Sequence, residues 1–244
     1  MNYETFASVY DTIMDDSLYE KWEEFTLKHL PQTTMEVLEL ACGTGDLALL
    51  LADKFQVSGL DLSEEMLAMA DRKAQEADVS LNLIAGDMRD LKDIGHYDAV
   101  TCYSDSLCYL ANAQDVQQTF DEVFQVLKEE GTFIFDVHSI YQVEEGFKDY
   151  SFHDQTEDFA FLWDSYPGDA PYSVEHYLTF FVKEGEEDLF LRKDELHQER
   201  TYPLPEYLRL LENAGFTRVE VFGDFTEDAP QEDTARWFFV AHKE

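Results

Sequence analysis

Basic residues are scarce in this sequence. Its 244 residues include 17 Lys and Arg against 53 Asp and Glu, which gives a net charge of −36. Such a negative field repels phosphate backbones and anionic membrane surfaces. We therefore expect no nucleic-acid partner and no membrane partner, whereas a cationic ligand would be attracted. Most of the acidic side chains are expected to form a solvated surface.

Cysteine and long apolar runs are also lacking. Cys42, Cys102 and Cys108 follow neither a disulfide nor a zinc-site spacing, and most of the seven histidines are scattered. This pattern is typical of reduced thiols in a cytoplasmic protein without a bound metal. No run approaches the ~18 consecutive apolar residues of a membrane helix. The acidic N-terminus does not resemble a signal peptide.

The composition supports one domain with a packed core, because 45% of the residues are hydrophobic and 14% are aromatic. Short apolar runs alternate with helical patterns, which predicts βαβ units in an α/β fold with a mostly parallel sheet. A helix predicted over 113–130 is closed by Gly131. The predicted strands of this part are residues 36–40, 56–60, 81–85, 97–102 and 132–137.

The alternation stops after residue 139. Residues 140–199 contain short aromatic runs separated by turn signals, which predicts an antiparallel insertion of about three strands. A helix between Pro205 and Gly215 and two strands that pair antiparallel then follow. We therefore divide the chain into a core, residues 1–139 and 200–244, and an insertion, residues 140–199.

The segment ELACGTG, residues 39–45, lies between a predicted strand and a predicted helix. Glycines at such a turn allow a ligand to approach the backbone closely, next to the free N–H groups of the helix. Three alternatives fit this turn alone: a nucleoside site, a simple connection, and a dinucleotide site. The last fits because the residues from Gly43 to Ala48 match the G-x-G-x-x-A form.

Acidic residues end three consecutive predicted strands. Glu39 precedes the glycines, Asp61 ends the second strand, and Asp87 ends the third with Met88 behind it. A carboxylate can accept hydrogen bonds from ribose hydroxyls or an adenine amino group, and a thioether packs on a ring. A single strand-ending Asp can also be a turn residue, but open α/β sheets bind ligands at this edge.

These motifs resemble those of the class I S-adenosylmethionine-dependent methyltransferases, and the N-terminal FASVYDTIMDDSLYEKW resembles that of the bacterial YqeM-like family. The resemblance implies a Rossmann-like, seven-stranded sheet in the order 3-2-1-4-5-7-6 with helices on both faces. It implies S-adenosylmethionine as the cofactor. The residues that it places around the cofactor are Tyr10, Glu39, Ala41, Gly43, Gly45, Asp61, Leu62, Asp87, Met88, Tyr103 and Ser104. Ala41 stands where the family often has glycine, which we expect to cost little.

Methyl transfer by in-line displacement needs mainly a positioned acceptor and a dry pocket. A general base is required only if the acceptor must lose a proton. His138 and Asp105 follow the fifth and fourth strands, and His138 is the better base by its ordinary pKa. A hydrogen-bonded structural histidine is the alternative. We expect an unidentified small-molecule acceptor, with a cationic amine suiting the acids and aromatic rings.

Several uses remain open from the sequence. Tyr3, Phe6 and Tyr10 form a stripe that either packs in the core or folds over the cofactor. The insertion is either a lid over the acceptor or a dimer interface.

A non-catalytic S-adenosylmethionine-binding sensor or assembly protein is the alternative function. An NAD-dependent oxidoreductase fits less well, because it needs no acid before the glycines.

Overall fold

A computed structural model of the chain describes residues 16–185 and 189–244. The stripe that contains Tyr10 lies outside the described residues. The helices are α1 (Asp16–His29), α2 (Asp46–Ala52), α3 (Glu64–Glu76), α4 (Ala113–Val126) and α5 (Leu204–Ala214). The strands are β1 (Glu36–Leu40), β2 (Gln56–Asp61), β3 (Asn82–Ala85), β4 (Tyr97–Cys102), β5 (Leu127–His138), β6 (Ser151–Gln155), β7 (Phe159–Pro167), β8 (Ser173–Lys183), β9 (Phe190–Arg200), β10 (Arg218–Gly223) and β11 (Arg236–His242).

Seven strands form the main sheet in the order β10-β11-β5-β4-β1-β2-β3. Strands β1 to β5 pair in parallel, and β11 pairs antiparallel with both β5 and β10. With β10 and β11 counted as the sixth and seventh core strands, this is the order 3-2-1-4-5-7-6. The predicted Rossmann-like sheet is therefore confirmed.

Helices cover both faces of this sheet, as predicted. On one face, Phe120 of α4 and Tyr207 of α5 pack with Leu38 and Phe135 of the sheet. On the other face, Trp22 of α1 and the apolar side of α2 pack against alternate residues of the same strands. Because neighbouring residues of a strand point to opposite faces, the central strands bury apolar residues on both faces.

The local sequence explains where the helices begin and end. The Ser63 hydroxyl accepts a hydrogen bond from the Met66 N–H at 3.2 Å and caps α3, as predicted. Gly215 ends α5 with a φ of 113°, a left-handed conformation that glycine adopts without a Cβ clash. In the described part of the chain, no helix has the length and apolar character required to cross a membrane.

The prediction for the helix over 113–130 was wrong at its C-terminal end. The helix stops at Val126, and Leu127 is already extended and pairs with Tyr97 of β4. Lys128 then forms ion pairs with Glu36 at 2.6 Å and Asp98 at 2.8 Å. These tertiary contacts hold the segment in the sheet although its sequence continues a helical pattern.

The insertion contains a four-stranded antiparallel sheet, β6-β7-β8-β9, instead of the three strands that we expected. β6 was missed because all its residues are exposed, so it carries no apolar alternation. The chain leaves the core at His138 and returns at Thr201. The Thr201 hydroxyl donates a hydrogen bond to the His138 carbonyl at 2.6 Å, so the two ends of the insertion meet.

Candidate cofactor and acceptor site

The carboxyl ends of β1, β2, β3, β4 and β5 lie side by side at one edge of the sheet, because these strands are parallel neighbours. In the register, Glu39 pairs with Gly59 and Thr101, and Asp61 pairs with Ala85. This arrangement brings the three strand ends with Glu39, Asp61 and Asp87 to one edge, as the sequence predicts.

The glycine turn after β1 has a left-handed backbone. Ala41, Gly43 and Gly45 have φ values of 53°, 53° and 83°. A Cβ on Gly45 would lie 2.9 Å from the Cβ of Ala70, so this glycine lets α3 pack against the turn. A Cβ on Gly43 would have nothing within 4 Å, which leaves open space above the turn.

The left-handed backbone of Ala41 costs more free energy than the small size of alanine implies. A non-glycine residue in the left-handed region loses roughly 1–2 kcal/mol because its Cβ crowds the following carbonyl oxygen. Its φ of 53° places Ala41 in that region. The cost of replacing glycine here therefore arises from the backbone conformation, which the sequence argument did not consider.

Lys73 of α3 stabilises the glycine turn that follows β1. The Lys73 ammonium donates hydrogen bonds to both carboxylate oxygens of Asp46 at 2.7 Å and to the Thr44 hydroxyl at 3.1 Å. Thr44 in turn donates to Asp46 at 2.9 Å. These contacts join the first residues of α2 to the glycine turn. They therefore fix the orientation of the helix N–H groups.

Glu39 is buried with an unpartnered carboxylate oxygen. Only 5% of the residue is exposed, and its Oε2 has no hydrogen-bond partner among the described residues. Burial, followed by the nearby charges of Asp46 and Asp61, raises the pKa of Glu39 well above its ordinary value. A buried acceptor of this kind is stabilised by a cationic donor, such as the ammonium group of an amino acid.

The Asp61 carboxylate connects two neighbouring loops. It accepts hydrogen bonds from the Gly43 N–H and the Ser63 N–H, both at 2.8 Å. Each carboxylate oxygen retains a free lone-pair direction after one such bond. Asp61 can therefore bind a further pair of hydroxyls while it holds the glycine turn. Leu62, the next residue, is 72% exposed at the same edge.

Asp87 forms a close ion pair with a residue that the sequence argument did not use. The Arg89 guanidinium donates from Nε at 3.0 Å and from Nη2 at 2.5 Å. The hydrogen bond with Arg89 holds the pKa of Asp87 below its ordinary value, although some burial opposes this shift. Met88 is buried in the core cluster beside Leu91.

After β4, the chain turns through two left-handed residues. Ser104 and Asp105 have φ values of 55° and 50°, a conformation that costs energy and is concentrated at functional sites. Tyr103 turns inward, where its hydroxyl lies 2.7 Å from that of Thr26 and its ring stacks on Trp22. The turn thus directs Tyr103 toward α1 and Asp105 toward β5.

Beside this turn, Asp105 and Asp136 share one arginine. Arg236 of β11 lies 2.6 Å from Asp105 and 3.0 Å from Asp136. Asp136 also accepts hydrogen bonds from the Trp22 indole at 2.8 Å and the Asp105 N–H at 2.9 Å. Burial raises the pKa of Asp136, although the Arg236 charge opposes the shift. Asp136 is therefore occupied by protein donors and holds the site together.

His138 lies between two carboxylates. Its Nε2 is 3.4 Å from Asp105 Oδ2 and 3.4 Å from Glu199 Oε2. Burial lowers the pKa of His138, but the Asp105 charge and hydrogen bond outweigh it, so the pKa is raised. Burial alone would raise the pKa of Asp105. The charges of His138 and Arg236 outweigh burial, so this pKa is lowered. The structure thus places the two predicted catalytic residues in contact.

Glu199 belongs to the insertion and was not predicted. It is 5% exposed, and its Oε2 lacks a hydrogen-bond partner in the described part of the chain. Burial, followed by the Asp105 charge, raises its pKa to about 7. Glu199 Oε1 also lies 3.6 Å from His176 Nε2 of β8. Burial, followed by the charge of His138, lowers the pKa of His176 to about 4.

Aromatic rings of the insertion enclose this cluster. The Phe147 ring contacts those of His138 and His176 edge-on, at centroid distances of 5.0 and 4.7 Å. The Trp163 ring contacts that of His176 at 5.2 Å. The cluster of Asp105, His138 and Glu199 (the acid–base cluster) is therefore enclosed by apolar surface from the insertion.

The expected absence of a metal stays a prediction. One ligand atom each of Asp105, His138 and Glu199 lies within 4.8 Å of the others, a grouping that could hold an ion. Histidine spacing along the chain did not indicate this grouping, because its members come from three separate elements. The three cysteines are buried free thiols.

Sequence reasoning missed Trp22, Arg236 and Glu199, whose partners are far away in the chain. The signal for Glu199 was available as a period of two. Glu195, His197 and Glu199 occupy alternate positions of β9 and therefore share one face of the insertion sheet. Trp22 and Arg236 carried no comparable pattern, because their partners in the site lie far away in the sequence.

Comparisons with known proteins define the class of this fold. The family described as Methyltransferase domain matches residues 37–131. The crystal structure of an S-adenosylmethionine-dependent methyltransferase from Clostridium acetobutylicum is similar over 99% of this chain and 98% of that chain, with a TM-score of 0.86 and 29% identity. The fold is thus that of S-adenosylmethionine-dependent methyltransferases.

Sequence relatives define the family more closely. The YqeM methyltransferase-family protein of Bacillus subtilis is 43% identical over 245 residues, covering 100% of this chain and 98% of the relative. A glycine/sarcosine N-methyltransferase of Aphanothece halophytica is 27% identical over 253 residues, covering 94% of this chain and 89% of the relative. The chain belongs to the YqeM-like family of S-adenosylmethionine-dependent methyltransferases.

Proposed function

We propose that this protein transfers a methyl group from S-adenosylmethionine to the nitrogen of a small-molecule amine by in-line displacement. The observation that carries the proposal is the position of His138 Nε2, 3.4 Å from both Asp105 and Glu199 at the carboxyl edge of the sheet. This acid–base cluster lies beside the strand ends where such folds bind their ligands.

The residues at the strand ends fit the cofactor. The unpartnered Glu39 oxygen is suited to the ammonium of the methionine moiety, and the open space above Gly43 admits a ligand against the backbone. Asp61 would accept hydrogen bonds from the ribose hydroxyls. Ala41 and Gly45 would shape the turn, while Ser104 would border the methionine moiety. Tyr10 is the further predicted contact.

Four predicted contacts need adjustment to the geometry. Asp87 would reach an adenine amino group with the oxygen lone pairs that Arg89 leaves free, and Met88 would border the ring from the core side, since only 8% of this residue is exposed. Leu62 would cover the ribose from the solvent side, because it is largely exposed. Tyr103 would support the site through Trp22, since its ring faces inward.

When bound, the cofactor supplies an electrophilic methyl group on a sulfonium, so the protein itself needs to provide no further activation of the methyl carbon. The chain must hold the acceptor nitrogen in line, exclude water and remove a proton. Positioning contributes about 7–11 kcal/mol in favourable cases. Asp105, fixed by Arg236, orients His138 toward the space between core and insertion. The acid–base cluster then accepts the proton of the acceptor.

An amine as acceptor is supported by the charge and the rings around the cluster. A protonated amine would be attracted by Asp105 and Glu199 and would pack against aromatic faces such as that of Phe147. One relative is, as its name states, a glycine/sarcosine N-methyltransferase, and both of the named acceptors are small amines. We extend that acceptor class, but no particular amine, to this chain.

The insertion is proposed as the lid of this site, since Phe147 and Glu199 approach His138 from it. Its opposite face exposes Leu162, Tyr166, Tyr177 and Leu196. Because this face is exposed and apolar, formation of a dimer through it remains a prediction. The charge of −36 supports the absence of a nucleic-acid partner and, with the buried free thiols, a cytoplasmic location.

The test is formation of S-adenosylhomocysteine by the full chain with a panel of amines, amino acids and amino sugars, including glycine and sarcosine. Methylated amine detected by mass spectrometry supports the proposal. Turnover with hydroxyl or thiol acceptors alone would reject nitrogen as the acceptor atom. Tight S-adenosylmethionine binding with no turnover on any acceptor would favour the sensor function instead.

A further inference from the structure

A chain of polar side chains leads from the acid–base cluster to the protein surface. It consists of Glu199, Tyr109, His197 and Glu195 (the relay residues). Tyr109 ends a short 3-10 helix, Ser106–Tyr109, that follows Asp105 in the core, whereas the other three lie on β9 of the insertion. The chain therefore crosses from one part of the protein to the other.

Neighbouring members of this chain interact with one another. Burial raises the pKa of Glu199, and a hydrogen bond with the Tyr109 side chain is among the influences that lower it. The Tyr109 hydroxyl lies 3.0 Å from His197 Nδ1, and His197 Nε2 lies 3.0 Å from a Glu195 carboxylate oxygen. Each link joins a group that can donate a proton to one that can accept it.

Along β9, the exposure of the relay side chains increases from Glu199 through His197 to Glu195, and Tyr109 is more exposed than any of these three. The Glu199 side chain is 4% exposed, those of His197 and Glu195 are 24% and 30% exposed, and Tyr109 is 47% exposed. One end thus lies inside the enclosed acid–base cluster and the other end reaches water. This gradient arises because alternate residues of β9 share one face, along which the strand leaves the core.

We propose that Glu199 takes the proton released by the acceptor and passes it to solvent through Tyr109, His197 and Glu195. The inference rests on the proposed function, because N-methylation of an ammonium releases one proton per turnover. His138 remains beside Asp105 and positions the acceptor, while the unpartnered Glu199 oxygen receives the proton.

The step balances as follows. The acceptor ammonium loses a proton to Glu199, and the nitrogen lone pair forms the new N–C bond as the S–C bond breaks and sulfur keeps its electron pair. Protonated Glu199 gives its proton to the Tyr109 oxygen, and the hydroxyl proton moves to His197 Nδ1. His197 releases a proton from Nε2 to Glu195 or to water, so every group can return to its starting state.

The first experiment needs no acceptor. In the full chain with ¹⁵N-labelled histidine, the Nδ1 resonance of His197 is recorded by NMR at fixed pH with and without Glu199→Gln. The substitution should shift this resonance, because Glu199 and His197 Nδ1 interact with the same Tyr109 hydroxyl. Tyr109→Phe should reduce this effect by at least half. An equal effect of Glu199→Gln in both backgrounds would overturn the coupling through Tyr109.

The second experiment is kinetic and uses glycine, sarcosine and the other amines of the panel. Tyr109→Phe should lower kcat by about tenfold, with unchanged KM for the amine and unchanged S-adenosylmethionine Kd. Imidazole buffer should restore the rate, because a small base replaces the missing link. Tyr177→Phe, on the opposite face of the insertion, is the matched control and should behave as the wild type.

The outcomes separate this inference from the proposed function. Absence of wild-type turnover with every amine rejects the proposed function, and the NMR measurement on His197 still decides whether the relay residues are coupled. A wild-type rate for Tyr109→Phe, or a fall in rate that imidazole does not restore, would overturn the relay. Should Tyr109→Phe unfold in circular dichroism, His197→Gln tests the next link with the same readouts.

Discussion

Trp22 donates its indole N–H to the Asp136 carboxylate at 2.8 Å, and the two residues are 114 positions apart in the sequence. This bond fixes α1 against the end of β5. Trp22 also stacks on Tyr103, at a centroid distance of 5.9 Å. One side chain thus joins the first described helix to the turn that carries Asp105.

Replacement of Trp22 by Phe should therefore destabilise the protein. The change removes a donor from a fully buried carboxylate, which costs about 1–3 kcal/mol beyond the lost ring area. Chemical denaturation measures the difference. Trp237→Phe is the control, because the Trp237 indole N–H has no hydrogen-bond partner among the described residues. Equal losses in the two variants would show that the Asp136 bond contributes nothing.

Asp61→Ala should weaken S-adenosylmethionine binding at least tenfold, since about 1.5–3 kcal/mol is expected for each hydrogen bond to a charged group. Isothermal titration calorimetry measures the affinity. The Gly43 and Ser63 N–H groups lose an acceptor as well, so circular dichroism must confirm that the variant folds. Asp53→Ala, at an exposed position after α2, is the control. Unchanged affinity would remove Asp61 from the site.

Glu199→Gln should change how stability depends on pH. The pKa of Glu199 is raised to about 7, so between its ordinary value and pH 7 the unfolded chain loses this proton while the folded chain keeps it. Wild-type stability therefore falls over this range as pH rises, by about 2–3 kcal/mol if Glu199 acts alone. Gln does not ionise. The free energy of unfolding of the variant, relative to that of the wild type, should therefore be greater at pH 8 than at pH 4.

Denaturation curves across this pH range provide the measurement. The titratable groups that face Glu199 are Asp105, His138, His176, His197 and Tyr109. These groups remain in the variant, so the difference between the two proteins reports Glu199 together with its coupling to them. Parallel pH profiles for wild type and Glu199→Gln would contradict the raised pKa. Glu195→Gln, at the exposed end of the same strand face, should leave the profile nearly unchanged.

Replacement of residues 140–199 by a short Gly-Ser linker should separate binding from turnover. The ends of this segment meet at the hydrogen bond between Thr201 and His138, so a linker can close the gap. S-adenosylmethionine affinity should stay within about threefold, a change of less than 1 kcal/mol. Methyl transfer should fall by at least about 100-fold, because Glu199 and the aromatic cover are lost. Equal loss of both would assign the insertion a structural role.

The sheet and the glycine turn could be predicted because their signals are local. The apolar strands, the glycines and the strand-ending acids lie within residues 36–88, whereas the order of the strands in the sheet was implied by the family resemblance. The Ser63 cap was predictable for the same reason. Only the backbone conformation of Ala41 was missed there, because its φ depends on the turn as a whole.

The acid–base cluster could be predicted only in part. His138 and Asp105 follow strands and were therefore expected near each other. Glu199 and Arg236 approach them from β9 and β11, and such distant pairings depend on how the insertion and the last strand fold back. A single sequence contains no local pattern for contacts that span 131 positions, as the Arg236–Asp105 pair does.

The hydrogen bond between Thr201 and His138 also marks the point where sequence changes in the insertion are separated from those in the core. The segment between these residues could change in length or composition while β5 and α5 stay in place, since one hydrogen bond joins its ends. Under the proposed function, the core binds the nucleoside and the insertion selects the acceptor, so the two parts would be exchangeable units. Related enzymes could then acquire new acceptors by replacing the insertion alone, and chimeras joined at these two residues would still bind the methyl donor.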